Sequence, residues 1–191
     1  MSKVRAALAE THATFGRALG DEALIAAIEA AANLCIARLR SGSKILFCGN
    51  GGSAADAQHL VGELVSRFRY DRPGLAALAL TTDTSVLTAI GNDYGFEHAF
   101  ARQVEAIGMS GDVLVAISTS GRSPNVLAAL DAARARNVAT IAMTGRSGGD
   151  MDGRADIVIR APSGETPRIQ EIHIAAGHAI CEMIEAEIFP S

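Results

Sequence analysis

Five short apolar runs, separated by stretches with helical periodicity, constrain the fold of this chain most. The runs are KILFC (44–48), LAALAL (75–80), VLVAIS (113–118), ATIAM (139–143) and DIVIR (156–160). Helices are predicted between them at 54–66, 84–92, 97–106 and 124–136. Apolar strands that alternate with helices are typical of a parallel sheet covered on both faces. The sequence therefore predicts an α/β fold with a doubly wound, five-stranded parallel sheet flanked by helices.

Two helices are predicted before the first strand and one long helix after the last. Ala, Leu and Ile recur at three- and four-residue steps over residues 3–18 and 21–41, and Asp21 is the predicted N-cap of the second helix. The final helix, from about 166 to 188, is apolar over much of its circumference and needs partners on two sides. We expect one domain over residues 1–191, in which the helical hairpin 1–41 contributes to oligomerisation.

Composition excludes several classes of function. The formal net charge is −4 and no basic block occurs, which argues against nucleic acid as a partner. No run of about 18 uncharged apolar residues occurs, so we expect no membrane association and a cytoplasmic location. Cys35, Cys48 and Cys181 have no metal-type spacing, and we expect three reduced thiols in the core.

Two loops rich in serine and glycine follow the first and third predicted strands, where doubly wound folds bind ligands. Each precedes a helix, whose free backbone N–H groups favour an anion. A phosphorylated ligand is therefore predicted to bind at both loops, although two ordinary polar turns are the alternative. The predicted binding residues are Asn50, Gly51, Gly52, Ser53, Ser118, Thr119, Ser120 and Ser123.

Smaller features of these loops have local interpretations. Ser53 and Asp56 resemble a capping box at the start of a helix. Pro124 fits the first turn of the next helix. Arg122 is expected to face solvent.

The helix after the first loop carries His59 and Glu63 four residues apart, and therefore on one face. That spacing suits two ligands of one metal ion, with a structural His–Glu pair as the alternative. Asn92 and Asp93 follow another helix and are flanked by glycines, a pattern that also fits an Asn-Asp turn.

Four segments resemble the sugar isomerase (SIS) domain family, and within it the bacterial phosphoheptose isomerases. They are GNGGSAADAQH, LTTDTSVLTAIGNDYGFEHAFARQ, STSGRSPNVLAAL and RIQEIHIAAGHAICEMIE, and the resemblance covers nearly the whole chain. It implies a flavodoxin-like three-layer fold and a homotetramer with active sites between subunits. It also implies conversion of sedoheptulose 7-phosphate to D-glycero-D-manno-heptose 7-phosphate, the first step toward ADP-heptose for lipopolysaccharide or related glycans.

The resemblance further implies one Zn²⁺ per subunit, held by His59, Glu63, Gln170 and His178. It places Asn92 and Asp93 at the sugar, and Glu63 and Gln170 at the substrate as well. Eight residues of helix span about 12 Å. Gln170 and His178 can therefore share an ion only by leaning toward each other, by helix distortion, or by coming from different subunits.

Isomerisation of a ketose to an aldose needs a base near the C1 and C2 protons and an electrophile at the oxygens. Glu63 and His178 are the predicted base and acid, and zinc would polarise the oxygens. A carboxylate bound tightly to zinc is a poorer base. Either Glu63 is a shifting ligand, or His178 carries the proton while Glu63 holds the metal.

Three alternatives remain at this point. The chain could be a non-catalytic SIS protein that binds the bacterial replication initiator or senses phosphosugars, although the presence of His178 favours an enzyme. It could be a metal-free isomerase, or an SIS enzyme for amino-sugar phosphates. The other histidines have simpler interpretations: His12 and His98 at the surface, and His173 against a neighbouring helix.

Overall fold

The computed structural model describes residues 2–190. In these residues the strands are β1 (Ile45–Gly49), β2 (Ala77–Ala79), β3 (Val113–Ile117), β4 (Ala139–Thr144) and β5 (Ile157–Arg160). The helices are α1 (Lys3–Leu19), α2 (Glu22–Arg40), α3 (Gly52–Val65), α4 (Thr84–Asp93), α5 (Ala101–Ile107), α6 (Pro124–Ala135) and α7 (Thr166–Ile188). Short 3-10 turns lie at Phe96–His98 and Gly149–Met151.

The five strands form one parallel sheet in the order β2-β1-β3-β4-β5. Buried residues on one face pack against α2, α3 and α7, and those on the other face against α5 and α6. After β2 the chain crosses β1 to form β3, so the connections leaving β1 and β3 run in opposite directions. This is the switch point at which doubly wound sheets form a binding crevice. The predicted fold class is confirmed.

Two predicted elements differ from the observed ones. The helix predicted at 97–106 is present as α5, but its predicted start is wrong, because residues 96–98 form a 3-10 turn with i→i+3 bonds and α5 begins only at Ala101. Gly95, at φ 94°, redirects the chain just before that turn. Strand β2 is shorter than the predicted 75–80, since Leu75 N–H donates to Leu64 O and ties this segment to the end of α3.

The predicted helix caps have mixed outcomes. Asp21 accepts a hydrogen bond from Leu24 N–H as predicted, and Pro124 occupies the first turn of α6. The capping box at Ser53 and Asp56 is wrong. Helix α3 already begins at Gly52, with Gly51 as its N-cap at φ 56°, so Ser53 lies inside the first turn and is buried.

The N-terminal helices pack beside α7. The guanidinium of Arg168 on α7 donates to Ala7 O and Thr11 Oγ1 of α1, which holds the two helices together. Another face of α1 is exposed to solvent, and the apolar side chains on it are Val4, Leu8, Phe15 and Leu19. Within residues 2–190 no helix has the length and apolar character needed to cross a bilayer.

The three cysteines are buried in the core as predicted and form no disulfide. Burial raises the pKa of each thiol to about 12. Cys35 and Cys181 belong to the core on the α2–α3–α7 face, and Cys48 to the core on the opposite face.

Candidate active site

A cluster of hydroxyl groups closes the carboxyl end of β3. Ser118 Oγ lies 3.0 Å from Ser123 Oγ and 3.4 Å from Ser120 Oγ. Ser123 precedes α6 but makes no side-chain cap bond, so its hydroxyl faces the cluster and not the helix backbone. Three hydroxyls beside the N-terminus of a helix suit the oxygens of a phosphate group.

A pair of amides joins the two serine-glycine loops. Asn50 Nδ2 donates to Asn125 Oδ1 at 2.8 Å, and Asn125 Nδ2 donates to Asn50 Oδ1 at 2.9 Å. The Asn50 side chain, predicted to bind substrate, is therefore used in this link. Asn125 was not singled out from the sequence, since a second loop asparagine carries no spacing signal. The pair holds both loops at the switch point of the sheet.

Gln170 of α7 lies against the first turn of α3. A Cβ atom at Gly52 would stand 2.2 Å from Gln170 Nε2, so a larger residue there would displace the amide end of the Gln170 side chain. Gly52 and His59 are seven residues apart on α3, or about 10 Å along the helix axis. Gln170 therefore lies at the loop end of α3, whereas the predicted metal ligands of that helix lie about two turns further along.

His59, Glu63 and His178 form a compact cluster between α3 and α7. His59 Nε2 lies 2.8 Å from His178 Nε2 and 3.3 Å from Glu63 Oε1, and the ligand atoms of all three residues lie within 4.8 Å of one another. The His59 side chain is 49% exposed and that of Glu63 21%, so the cluster opens to the surface on one side. The ring of Phe68 packs against His178 at 5.7 Å between centroids.

The chemistry of this cluster fits a metal ion. A tetrahedral zinc ion with ligand distances of about 2.0–2.1 Å needs donor atoms roughly 3.4 Å apart. The observed separations of 2.8 and 3.3 Å are close to that requirement. Two imidazole nitrogens and a carboxylate oxygen are also donors that zinc accepts. The structure thus brings three of the four predicted ligands together in one chain.

Asp56 also belongs to the surroundings of this cluster. It lies one turn before His59 on α3, and its buried Oδ2 atom has no hydrogen-bond partner among the described residues. Burial raises the pKa of this carboxyl group, while His59 and His178 oppose the rise. From the sequence, Asp56 was interpreted only as half of a capping box.

The remaining predicted residues lie at or near the surface, with one exception. Asn92 and Asp93 are exposed at the end of α4, where Asn92 Nδ2 donates to Asp93 Oδ1 at 2.7 Å. The exposed residues include, as predicted, His12, His98 and Arg122. His173 is the exception: it is buried, and its Nε2 lies 3.0 Å from Thr144 O at the end of β4. Its hydrogen-bond partner is therefore the backbone of β4, whereas the sequence predicted only that it faces a neighbouring helix.

Two cavities flank the hydroxyl cluster. One of about 450 Å³ is lined by Thr119, Ser120, Arg122, Arg146 and the N-terminal end of α7, and the other, of about 300 Å³, by Asn50, Glu97, Ser123 and Asn125. A third cavity, of about 420 Å³, lies at the opposite edge of the sheet beside Ala139 and Asp156. Because doubly wound sheets bind ligands at the carboxyl ends of their strands, the first two cavities belong to the candidate site.

Comparisons with known proteins identify relatives of this chain over nearly its whole length. The family model of the SIS domain matches residues 16–145. Phosphoheptose isomerases from Bradyrhizobium sp. BTAi1 and Burkholderia pseudomallei 1710b are 58% and 53% identical to this chain over 95% of its length, covering 91% and 92% of theirs. The solved phosphoheptose isomerase from Neisseria gonorrhoeae is 48% identical, with a TM-score of 0.90 over 96% of this chain and 97% of that one.

Proposed function

This chain belongs to the phosphoheptose isomerases of the SIS-domain family, and from that membership we propose that it converts sedoheptulose 7-phosphate to D-glycero-D-manno-heptose 7-phosphate. The observation that carries the proposal is the convergence of His59 Nε2, Glu63 Oε1 and His178 Nε2 about two helical turns from a phosphate-type loop. The product would enter ADP-heptose synthesis for lipopolysaccharide or related glycans. We place the reaction in the cytoplasm, where three buried free thiols remain reduced.

The loops and the histidine cluster would bind opposite ends of the substrate. The hydroxyl cluster, with Thr119 and the loop 50–53, would hold the phosphate. The two helical turns between Gly52 and His59 have a length comparable to an extended seven-carbon sugar phosphate. C1 and C2 would then lie at the histidine cluster, with Asn92, Asp93 and Gln170 contacting sugar hydroxyls.

Proton transfer is assigned to Glu63 and His178. Glu63 Oε1 would remove the proton from C1 of the ketose, and the same proton or one from solvent would return at C2 to give the aldose. His178 Nε2 would move protons between the O1 and O2 oxygens of the enediol. If Glu63 instead holds the metal, His178 takes over the transfer between carbons.

We propose that His59, Glu63, His178 and Gln170 hold one Zn²⁺ per subunit. A zinc ion supplies a Lewis acid that polarises the carbonyl and enediolate oxygens. The three clustered residues support the proposal directly. Gln170 lies at Gly52 in the same chain, so its part in the ligand set depends on a neighbouring subunit or on rearrangement when substrate binds.

A homotetramer with active sites between subunits completes the proposal. The exposed apolar residues of α1 and the exposed side of the cluster support it, because both offer surface to a second chain. The separation of Gln170 from the histidines gives an independent reason for a shared site.

Turnover in deuterium oxide tests the reaction. Purified protein is incubated with sedoheptulose 7-phosphate and the product is followed by NMR. An enediol mechanism with an exchanging base places deuterium at C2 of the heptose. Absence of any aldose product would contradict the proposed function. The ratio of deuterium to protium at C2 then measures how often the proton returned to C2 comes from solvent and how often it is the one removed from C1.

A further inference from the structure

The segment between α3 and β2, residues 66–76, contains no helix or strand but is anchored by one buried carboxylate. Glu185 of α7 is 1% exposed. Its Oε1 accepts hydrogen bonds from Phe68 N–H and Arg72 Nε–H, both at 2.9 Å, and its Oε2 accepts from Arg69 N–H at 2.7 Å. Burial raises the pKa of Glu185, but these three donors outweigh it and hold the pKa below its ordinary value.

Arg72 connects this carboxylate to the end of α3. One terminal nitrogen of its guanidinium donates to Glu63 O at 2.8 Å, and the other donates to Leu64 O at 2.7 Å and Pro73 O at 3.0 Å. The carbonyls of Glu63 and Leu64 belong to the last turn of α3, where no further helical N–H is available to them. The guanidinium therefore caps the C-terminus of α3.

One ion pair thus joins the two helices that carry the histidine cluster. His59 and Glu63 lie on α3, and the backbone carbonyl of Glu63 accepts a hydrogen bond from Arg72. His178 lies seven residues before Glu185 on α7, which is two turns along the same face. Phe68, whose N–H is bound to Glu185, places its ring against His178.

We infer that Arg72 and Glu185 are positioning residues, which set the spacing and register of α3 and α7 and thereby the geometry of His59, Glu63 and His178. The inference deepens the proposed function and rests on it for its kinetic consequences. It assigns to the pair a role in turnover beyond stability of the fold.

The energetics of buried ion pairs separate these two roles. Removing two charges from water costs so much that apolar side chains of similar volume can often replace a buried pair without loss of stability. Such a replacement would, however, lack the planar guanidinium group of Arg72, which donates hydrogen bonds to two carbonyls of α3 and to the carboxylate of Glu185 at the same time. Lysine keeps the charge but has no such planar group.

The first experiment compares Glu185→Gln and Arg72→Lys with Glu182→Gln as a matched control. Glu182 lies on the same helix and pairs with Arg69 of the same segment at 3.0 Å, but both side chains are exposed. We expect kcat with sedoheptulose 7-phosphate to fall by about 10- to 100-fold in the two test variants. KM should remain as in the native protein, because the hydroxyl cluster is untouched, and the control should keep its native kcat.

The second variant, Arg72→Met/Glu185→Leu, separates positioning from stability. Tm should fall, because the variant leaves the N–H groups of Phe68 and Arg69 without their acceptor. A positioning role predicts that kcat per folded molecule, measured well below Tm, falls as well. Native kcat per folded molecule in this double variant would overturn the inference, as would native kcat in Arg72→Lys and Glu185→Gln at equal folded fraction.

A third measurement, amide hydrogen exchange, needs neither a variant nor an activity assay. In the native protein, the amides of Phe68 and Arg69 should exchange hydrogen far more slowly than the amides of segment 66–76 other than Ser66 and Leu75, because they donate to a buried carboxylate. Ser66 and Leu75 are left out of the comparison because they donate to backbone carbonyls of α3. Exchange as fast as in an exposed loop would refute the contacts of Glu185 with this segment, and with them the inference. Absence of turnover by the native protein, with these amides protected, would instead refute the proposed function and leave those contacts supported.

Discussion

At the scale of single residues, the serine hydroxyls are the most direct test of the phosphate site. Ser120→Ala and Ser123→Ala should each raise KM, since a hydrogen bond to a charged group contributes about 1.5–3 kcal/mol. That corresponds to roughly a 10- to 150-fold change in affinity. Steady-state kinetics would measure it, with Ser41→Ala, whose exposed hydroxyl bonds to Arg38 O, as control. Unchanged KM in both variants would remove this loop from the phosphate site.

His178 and His173 provide a contrast on one helix. His178→Asn should abolish zinc binding and most turnover while leaving the fold intact, because the side chain is only half-buried. Chelation of the native protein should also remove zinc and abolish turnover, and added zinc should restore activity. His173→Asn should mainly lower Tm, because this side chain is buried and bonded to Thr144 O. Elemental analysis and thermal melts would distinguish the two, and equal losses of turnover per folded molecule would contradict the assignment.

His173 also makes the free energy of unfolding depend on pH, in a direction that follows from its lowered pKa. Burial lowers its pKa from 6.5 to about 4, so between these values the unfolded chain binds a proton that the folded chain does not. Stability is therefore unaffected above pH 6.5 and is lost as pH falls toward 4, by about 3 kcal/mol in all. Urea unfolding at pH 7 and pH 4.5 should show a smaller loss in His173→Asn. Identical losses in both proteins would refute the prediction.

Residue roles were predictable where spacing carries information. The i, i+4 spacing of His59 and Glu63 and the density of hydroxyls at 118–123 both led to groups that the structure brings together. Arg72 and Glu185 are 113 positions apart in the chain. No local pattern marks such a pair, because only the tertiary packing of α3 and α7 makes it.

At the scale of elements, the contact between α3 and α7 depends on one glycine. A Cβ atom at Gly177 would lie 2.6 Å from Leu60 Cδ2, so Gly177→Ala should push the helices apart and cost about 1–3 kcal/mol. Turnover should also fall, because the histidine cluster spans the same contact. Gly62→Ala is the control, since it has open space within helix α3 and should stabilise by up to about 1 kcal/mol. Chemical unfolding of both variants measures the difference, and equal effects would contradict close packing here.

Strands were easier to locate than helix boundaries. The apolar runs predicted β1, β3, β4 and β5 to within one residue at each end, since buried parallel strands need such residues, and only β2 was predicted too long. The start of α5 was predicted too early, because apolar spacing does not distinguish a 3-10 turn from the first turn of an α-helix. The positive φ of Gly95, just before that turn, also leaves no apolar pattern in the sequence.

At the scale of the whole molecule, the exposed apolar residues of α1 predict assembly. The protein should form a tetramer at micromolar concentration, and Leu8→Lys with Leu19→Lys should weaken it, because both side chains are exposed in the single chain. Light scattering would measure the mass of both proteins. A monomer with full activity would exclude an active site shared between chains.

The overall architecture was the most predictable property. Five apolar runs alternating with helices permit few topologies, and a right-handed parallel arrangement is the common one. The order β2-β1-β3-β4-β5 does not follow from that alternation, because it depends on which strand the chain crosses.

The buried thiols allow the two faces of the sheet to be monitored separately. Only a thiolate reacts quickly with alkylating or disulfide reagents, and burial with a pKa of about 12 makes all three cysteines inert while the chain is folded. Modification of Cys48 then records opening of the layer that contains α5 and α6, and modification of Cys35 or Cys181 records opening of the α2–α3–α7 layer. The native chain thus carries built-in reporters of whether its two helical layers detach together or one at a time.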